Sequence, residues 1–244
     1  MPGLDNHDSD RPALLLVHGA WHGPWCWENL LPIVSDRGWR VHTVDLPSGL
    51  ELGSPPPSPV PGLYDDAAAI AAKLAQIAEP TVVVAHSYGG APVTEACAQA
   101  DNVAHLIYLA AFQLDAGESV RTAMGADPAL PVPDTGYSPS LHGADLYSDV
   151  DGDVAARANQ RLRLQSNPSR AQPVRHAGWR HVGSSYVVCD KDAAIPPQRQ
   201  EQFAARADAI YHLPTGHSPF YSAPYRLADL LGQIVCDASR RAAS

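Results

Sequence analysis

Two stretches, Leu14-Leu-Leu-Val17 and Val82-Val-Val84, are apolar at every position and not at alternate ones. A strand with one face in water alternates; an uninterrupted apolar run fits a strand covered on both faces. Strand-like runs fall at 13–18, 40–46, 81–86, 103–110, 184–190 and 209–213. Helical patterns lie between them near 25–37, 64–78, 88–100, 197–207 and 222–238. The clearest is 64–78, where Ala67, Ile70, Ala71, Leu74, Ile77 and Ala78 recur at spacings of three and four. Asp65 and Asp66 fall in its first turn, where the helix dipole favours anions. This order predicts an α/β fold: a mostly parallel sheet of about six strands with helices on both faces.

Two segments break the alternation. Residues 47–63 carry six prolines (47, 55, 56, 57, 59 and 61) and read as a stiff surface loop. Residues 112–183 are too long for an ordinary crossover. They contain one helical pattern near 152–164, with Val154, Ala158, Arg161 and Leu162. The expected organisation is a core of 12–111 and 184–238, a cap insertion of 112–183 within the same domain, and a disordered polar tail of 1–11. No internal repeat is visible.

Composition narrows the function. The 244 residues are 45% hydrophobic and 18% charged, which excludes a disordered chain. Lys and Arg number 17 against 26 Asp and Glu, a net charge of −9. That balance argues against nucleic-acid binding and attachment to anionic membranes. No run approaches the roughly 20 apolar residues of a spanning helix. The acidic start, Met1 to Asp10, does not resemble a secretory signal, so a cytoplasmic location is expected. Cys26, Cys97, Cys189 and Cys236 are widely spaced and read as reduced core thiols.

The strongest chemical signal is Val82-Val-Val-Ala-His-Ser-Tyr-Gly-Gly90. A buried strand runs into Ala85-His86-Ser87-Tyr88-Gly89 and a helix follows, the context of a nucleophile elbow with Ala85 in place of the first glycine. The competing reading makes Ser87 an ordinary helix N-cap. A nucleophilic serine needs a base that is itself oriented by a carboxylate. Among 11 histidines, His217 lies in Leu213-Pro-Thr-Gly-His-Ser-Pro219, a loop after the last strand, where an open α/β sheet places its chemistry. His86 adjoins the serine but reads as structural. His7 is in the tail, and His176 and His181 flank the end of the cap. His18 and His22 lie in a Gly-rich loop with no nearby acidic third ligand for zinc. Asp192, just past the strand in Val187-Val-Cys-Asp-Lys-Asp192, is preferred as the acid over Asp190 and the more distant Asp115.

An oxyanion needs two backbone N–H donors. Tyr88, after the nucleophile, supplies one at a helix N-terminus. The other is expected from the loop His18-Gly-Ala-Trp-His-Gly-Pro-Trp-Cys-Trp27, where Gly19 and Gly23 let backbone approach a ligand. Trp25 and Trp27 read as core.

The same loop resembles the H-G-x-x-x-G-x-W-x-W stretch of the α/β-hydrolase subfamily that contains plant methylesterases, hydroxynitrile lyases and small bacterial esterases. Cys189-x-x-Asp192-x-x-Ile195-Pro196 and Gly216-His217-Ser218-Pro219-Phe220 are similar to its acid and histidine segments. Leu146-Tyr-Ser-Asp149 and Leu162-Arg-Leu-Gln165-Ser166 resemble its cap. The likeness runs from residue 12 to 236. It implies an α/β-hydrolase fold, Ser87 as nucleophile, Asp192 as acid, His217 as base, and Ala20 and Tyr88 as oxyanion donors. The lyases of this group carry threonine where this chain has Gly19 and lysine where it has Ser218, which moves the expectation toward hydrolysis.

The resulting expectation is a serine hydrolase, a carboxylesterase cleaving a small apolar or aromatic ester through an acyl-enzyme. The alternatives are the same triad running C–C cleavage, lyase, cyclisation or isomerisation chemistry, a hydrolase-fold ligand receptor, and a scaffold protein. The expected partner is a small-molecule substrate. Trp21, Phe112, Met124, Tyr137, Tyr147 and Trp179 are candidate pocket walls, each equally suited to core. Asp149-Val-Asp-Gly-Asp153 has glycine at the wrong place for a calcium loop and reads as a solvated helix entrance. No phosphate or dinucleotide loop is present, and no cofactor is implied.

Overall fold

The computed structural model describes residues 11–141 and 143–242. The expected tail lies outside them except for Arg11, whose guanidinium sits 4.2 Å over the Trp39 ring.

The apolar runs become six strands: β1 (Ala13–Val17), β2 (Val41–Val44), β3 (Thr81–His86), β4 (Val103–Leu109), β5 (Ser184–Cys189) and β6 (Ala209–Leu213). They form one parallel sheet in the order β2-β1-β3-β4-β5-β6. Every residue of β1, β3 and β5 is buried, which explains the missing alternation. Successive side chains go to opposite faces. Leu15, Val17, Val83, Ala85, Tyr108 and Tyr186 enter one core cluster. Leu14, Leu16, Val82, Val84, Ile107 and Val187 enter the other.

Helices complete both layers. We label α1 (Leu31–Asp36), α2 (Leu63–Leu74), α3 (Gly90–Ala96), α4 (Gly152–Gln160), α5 (Pro197–Ala204) and α6 (Pro224–Ala242). On one face α2 packs against α3, and both bury side chains in the first cluster with Phe203 of α5. On the other, α1 meets α6, whose stripe Leu227, Ala228, Leu231, Ile234 and Val235 is buried. The pattern expected at 25–37 divides into a 3-10 turn, Pro24–Trp27, and α1, each with a proline in its first turn. Proline lacks the N–H that would carry one helix through. The expectation of four core thiols is corrected at one position. Cys26, Cys97 and Cys189 are buried, but Cys236 falls beside the buried stripe of α6 and is exposed.

The insertion carries α4 and two strands of a small antiparallel sheet, ordered Gly49–Leu50, Leu164–Ser166, Tyr137–Ser138. Gly49 pairs with Gln165, and Tyr137 with Ser166. The proline-rich stretch is therefore not only a surface loop, since its start is a strand of the cap sheet. Glycine leaves room there for the Arg163 guanidinium, which a Cβ on Gly49 would meet at 2.7 Å. Asp151 caps α4, accepting from the Asp153 N–H at 3.1 Å. Leu146, Tyr147 and Ala158 form a separate apolar cluster with Trp21, Trp25 and Tyr221, which seats the cap on loops that follow β1 and β6. Among the described residues no helix is long and apolar enough to cross a membrane.

Candidate active site

β3 ends at His86, in extended backbone, and Ser87 turns abruptly to φ 53°. That region is unfavourable for a residue with a Cβ and persists only where surrounding packing enforces it. Small neighbours make the turn possible. A Cβ on Gly89 would stand 2.6 Å from the His18 carbonyl oxygen, one on Gly90 2.7 Å from that of Phe112, and one on Gly19 2.9 Å from Cβ of Ser87. Ser87 itself is only half-buried, in contrast to its fully buried neighbours His86 and Tyr88.

The loop after β6 is tied to this elbow. His86 Nε2 donates to the His217 carbonyl at 2.9 Å, and the two rings are 4.7 Å apart. Burial drives the His86 imidazole well below its usual range, so the ring is neutral. His217 Nδ1 lies 2.6 Å from Asp192 Oδ2, with His217 only 1% and Asp192 5% exposed. A carboxylate only accepts, so Nδ1 donates, and in the neutral tautomer this bond selects the free lone pair is on Nε2. Asp192 also accepts from Gln200 Nε2 at 2.8 Å and from the N–H groups of Ala194 and Ile195 at 2.8 and 2.9 Å. Four donors thus hold its charge without water. Asp190 is exposed and pairs with His212 at 2.8 Å. Asp115 pairs with Arg180. His176 and His181 are exposed, and His7 lies outside the described residues.

The β1 loop is held by its own histidines. His18 Nδ1 donates to the Gly19 carbonyl at 2.9 Å, and its Nε2 accepts from the Leu46 N–H at 3.2 Å. In a trans peptide C=O and N–H point to opposite sides. Anchoring Gly19 O therefore aims the Ala20 N–H the other way, and among the described residues that N–H meets no acceptor. His22 Nδ1 donates to Ala20 O at 2.8 Å and its Nε2 accepts from the Tyr147 hydroxyl at 2.8 Å. Burial pulls His22 down to about 3, so it stays neutral. Tyr88 stands in the first turn after Ser87, where N–H groups lack intrahelical acceptors.

Of the expected wall residues, Trp21 (φ 62°) is fixed by Nε1 donating to Ser138 O at 3.0 Å. Tyr147 packs in the cap cluster. Met124 is exposed and lines a cavity of about 380 Å³. Tyr137 is half-buried in the cap sheet. Phe112 packs its ring in the core against Phe203 at 5.5 Å, while its N–H donates to Ser87 O at 3.1 Å. Trp179 donates to Leu114 O at 2.7 Å and also packs on that core.

Three contributors escape sequence reasoning. Asp66 is fully buried and accepts from Tyr88 OH and Ser48 Oγ, both at 2.5 Å, and from the Ser48 N–H at 2.9 Å. Its signal was present: it shares the stripe 63, 66, 67, 70 and 74 that α2 buries, so it is more than a first-turn anion. Gln200 orients Asp192 from α5. Asp149, set aside with the false calcium loop, accepts the Gly216 N–H at 2.6 Å.

A parallel sheet whose central strand delivers a strained serine, with an imidazole and a carboxylate on later loops, defines a class of α/β enzymes. The chain belongs to the alpha/beta hydrolase family, whose model matches residues 14–230, and it is an enzyme. It is 28% identical to the pyrethroid hydrolase of Sphingobium wenxiniae over 91% of this chain and 86% of that one. It is 24% identical to norfluorocurarine synthase 1 of Strychnos nux-vomica, covering 90% and 94% of the two chains. The solved structure of a methylesterase from Arabidopsis superposes with a TM-score of 0.76 at 24% identity, covering 93% and 99%.

Proposed function

We propose that the chain is a serine carboxylesterase acting on a small ester through an acyl-enzyme. The observation that carries this reading is the buried 2.6 Å contact between His217 and Asp192, on a loop tied to the residue before a strained serine. Ser87 Oγ attacks the ester carbonyl carbon as its proton passes to His217 Nε2. Asp192 keeps the imidazole in the Nδ1–H tautomer and balances the imidazolium. The N–H groups of Ala20 and Tyr88 donate to the tetrahedral oxyanion. The intermediate collapses, and the leaving alkoxide takes the proton from His217. Water then gives a proton to His217, adds to the acyl carbon and releases the acid, and Ser87 recovers its hydrogen.

The experiment is hydrolysis of a panel of p-nitrophenyl esters by the wild type and Ser87→Ala. The variant is expected to lose on the order of 10⁴-fold or more in kcat. A variant that retains near-wild-type turnover overturns the mechanism. The synthase relative favours one second reading, the same residues running a non-hydrolytic step; absence of turnover across the whole panel by the wild type supports it.

A further inference from the structure

Arg170 lies in the last turn of the short helix Asn167–Ala171 of the cap. Its Nε is enclosed and has no hydrogen-bond partner, and no carboxylate among the described residues pairs with the guanidinium. A guanidinium partly withdrawn from water ordinarily finds a counter-charge, because leaving water without one is unfavourable. The guanidinium lies 5.3 Å over the ring of Trp21, the residue after the expected oxyanion donor Ala20, and near enough to Tyr88 to interact with it electrostatically. Tyr137 lies close to the same indole, since Trp21 Nε1 donates to the carbonyl of the next residue, Ser138. The Tyr137 hydroxyl is also enclosed and unpartnered.

Arg170 lines the cavity of about 380 Å³ together with Arg121, Val120 and Met124. Arg121 donates to the carbonyls of Pro131 and Leu130 at 2.9 and 2.7 Å, which hold the group without neutralising it. A chain of net charge −9 thus gathers two arginines around one cavity whose lining contains no carboxylate. We propose that this cavity binds an anionic group of the substrate, so that the preferred substrates are esters bearing a second, ionised carboxylate, gripped by Arg170. The guanidinium fork matches a carboxylate, and Val120 and Met124 suit a hydrocarbon spacer. This inference rests on the esterase reading above.

Two isosteric pairs test it and distinguish which half of the ester carries the charge. On the acyl side, p-nitrophenyl hemiglutarate is compared with p-nitrophenyl isoheptanoate. On the alcohol side, para-acetoxybenzoate is compared with para-isopropylphenyl acetate. In at least one pair the wild type is expected to favour the anion in kcat/KM by about 10- to 100-fold, the scale of a hydrogen bond to a charged group. Arg170→Met lowers that ratio at least tenfold, and Arg170→Lys restores part of it. Ratios of one or less in both pairs, or a ratio unmoved in Arg170→Met, overturn the inference while leaving the esterase reading intact. If no ester turns over, the esterase reading fails, and calorimetric titration with glutarate and with benzoate decides the anion site alone. Binding of either probe by the wild type that weakens at least tenfold in Arg170→Met supports the site, and binding of neither overturns it.

Discussion

Asp149 of the cap and Gly216 of the core are joined by a 2.6 Å hydrogen bond, Oδ2 accepting the Gly216 N–H one residue before His217. The fit is tight: a Cβ on Gly216 would stand 2.5 Å from Asp149 Oδ1. Asp149 therefore helps to set the position of the His217 loop. Asp149→Ala is expected to lower kcat about 10- to 100-fold, the effect of a displacement on the order of 1 Å at a reacting group. Asp149→Asn, which keeps an acceptor, should recover much of it. Steady-state kinetics of the two variants check this, and equal losses in both would argue for a role of the charge rather than of the loop anchor.

His18 acts through a peptide. Its Nδ1–H holds Gly19 O at 2.9 Å, and the far side of that peptide carries the Ala20 N–H. Without the ring the peptide is free to rotate, and in the proposed mechanism the oxyanion loses a preset donor. Removal of one such donor typically lowers kcat about 10²- to 10³-fold, so His18→Ala is expected to fall near the lower end of that range with KM changed little. A loss expressed mainly in KM would contradict the assignment.

Asp66 links stability to pH. Burial pushes its carboxyl up to about 7, against the pull of the Ser48 and Tyr88 donors, whereas an unfolded aspartate titrates near pH 3.9. Between about pH 4 and 7 the folded chain keeps a proton that the unfolded chain has released. This contribution to stability is complete below about pH 4 and is lost as pH rises through 7, with a slope of at most about 1.4 kcal/mol per pH unit. His22 and His105, lowered by burial to about 3 and about 4, act in the opposite sense. Their contributions are complete above the unfolded value of about 6.5 and fade as pH drops toward the folded values. The difference between wild type and Asp66→Asn isolates the carboxyl. Urea midpoints measured from pH 5 to 8 should shift in favour of the variant as pH rises, and a difference that does not change with pH would refute the linkage.

The strands show how far local pattern reaches. Thr81–His86 and Ala209–Leu213 are observed at the expected bounds, three others end one residue earlier, and Val41–Val44 is shorter by one residue at its start and two at its end. Burial on both faces writes itself into every position of a run, so no distant information is needed. Leu164–Ser166 left no such trace. Its pairing with Gly49–Leu50 joins segments more than a hundred residues apart, and strands of two or three residues are too short to carry a period. Arg170 is silent for a related reason, since a lone arginine in a cap segment reads the same whether it meets water, a carboxylate or an enclosed cavity.

What the amino-acid order determined is the set of short-range features: the doubly covered strands, the small residues flanking Ser87, and a serine, an acid and a histidine each in a loop just past a strand. These follow from backbone sterics and from burial of consecutive side chains, which operate over a few residues. Tertiary structure brought Asp192, the acid the sequence already favoured over Asp190, to His217, and it alone decided that Asp66 meets Tyr88 and that Asp149 reaches Gly216. Each of these depends on where chain closure brings side chains distant in sequence, and a hydrogen bond of under 3 Å tolerates none of the latitude that a periodic pattern allows.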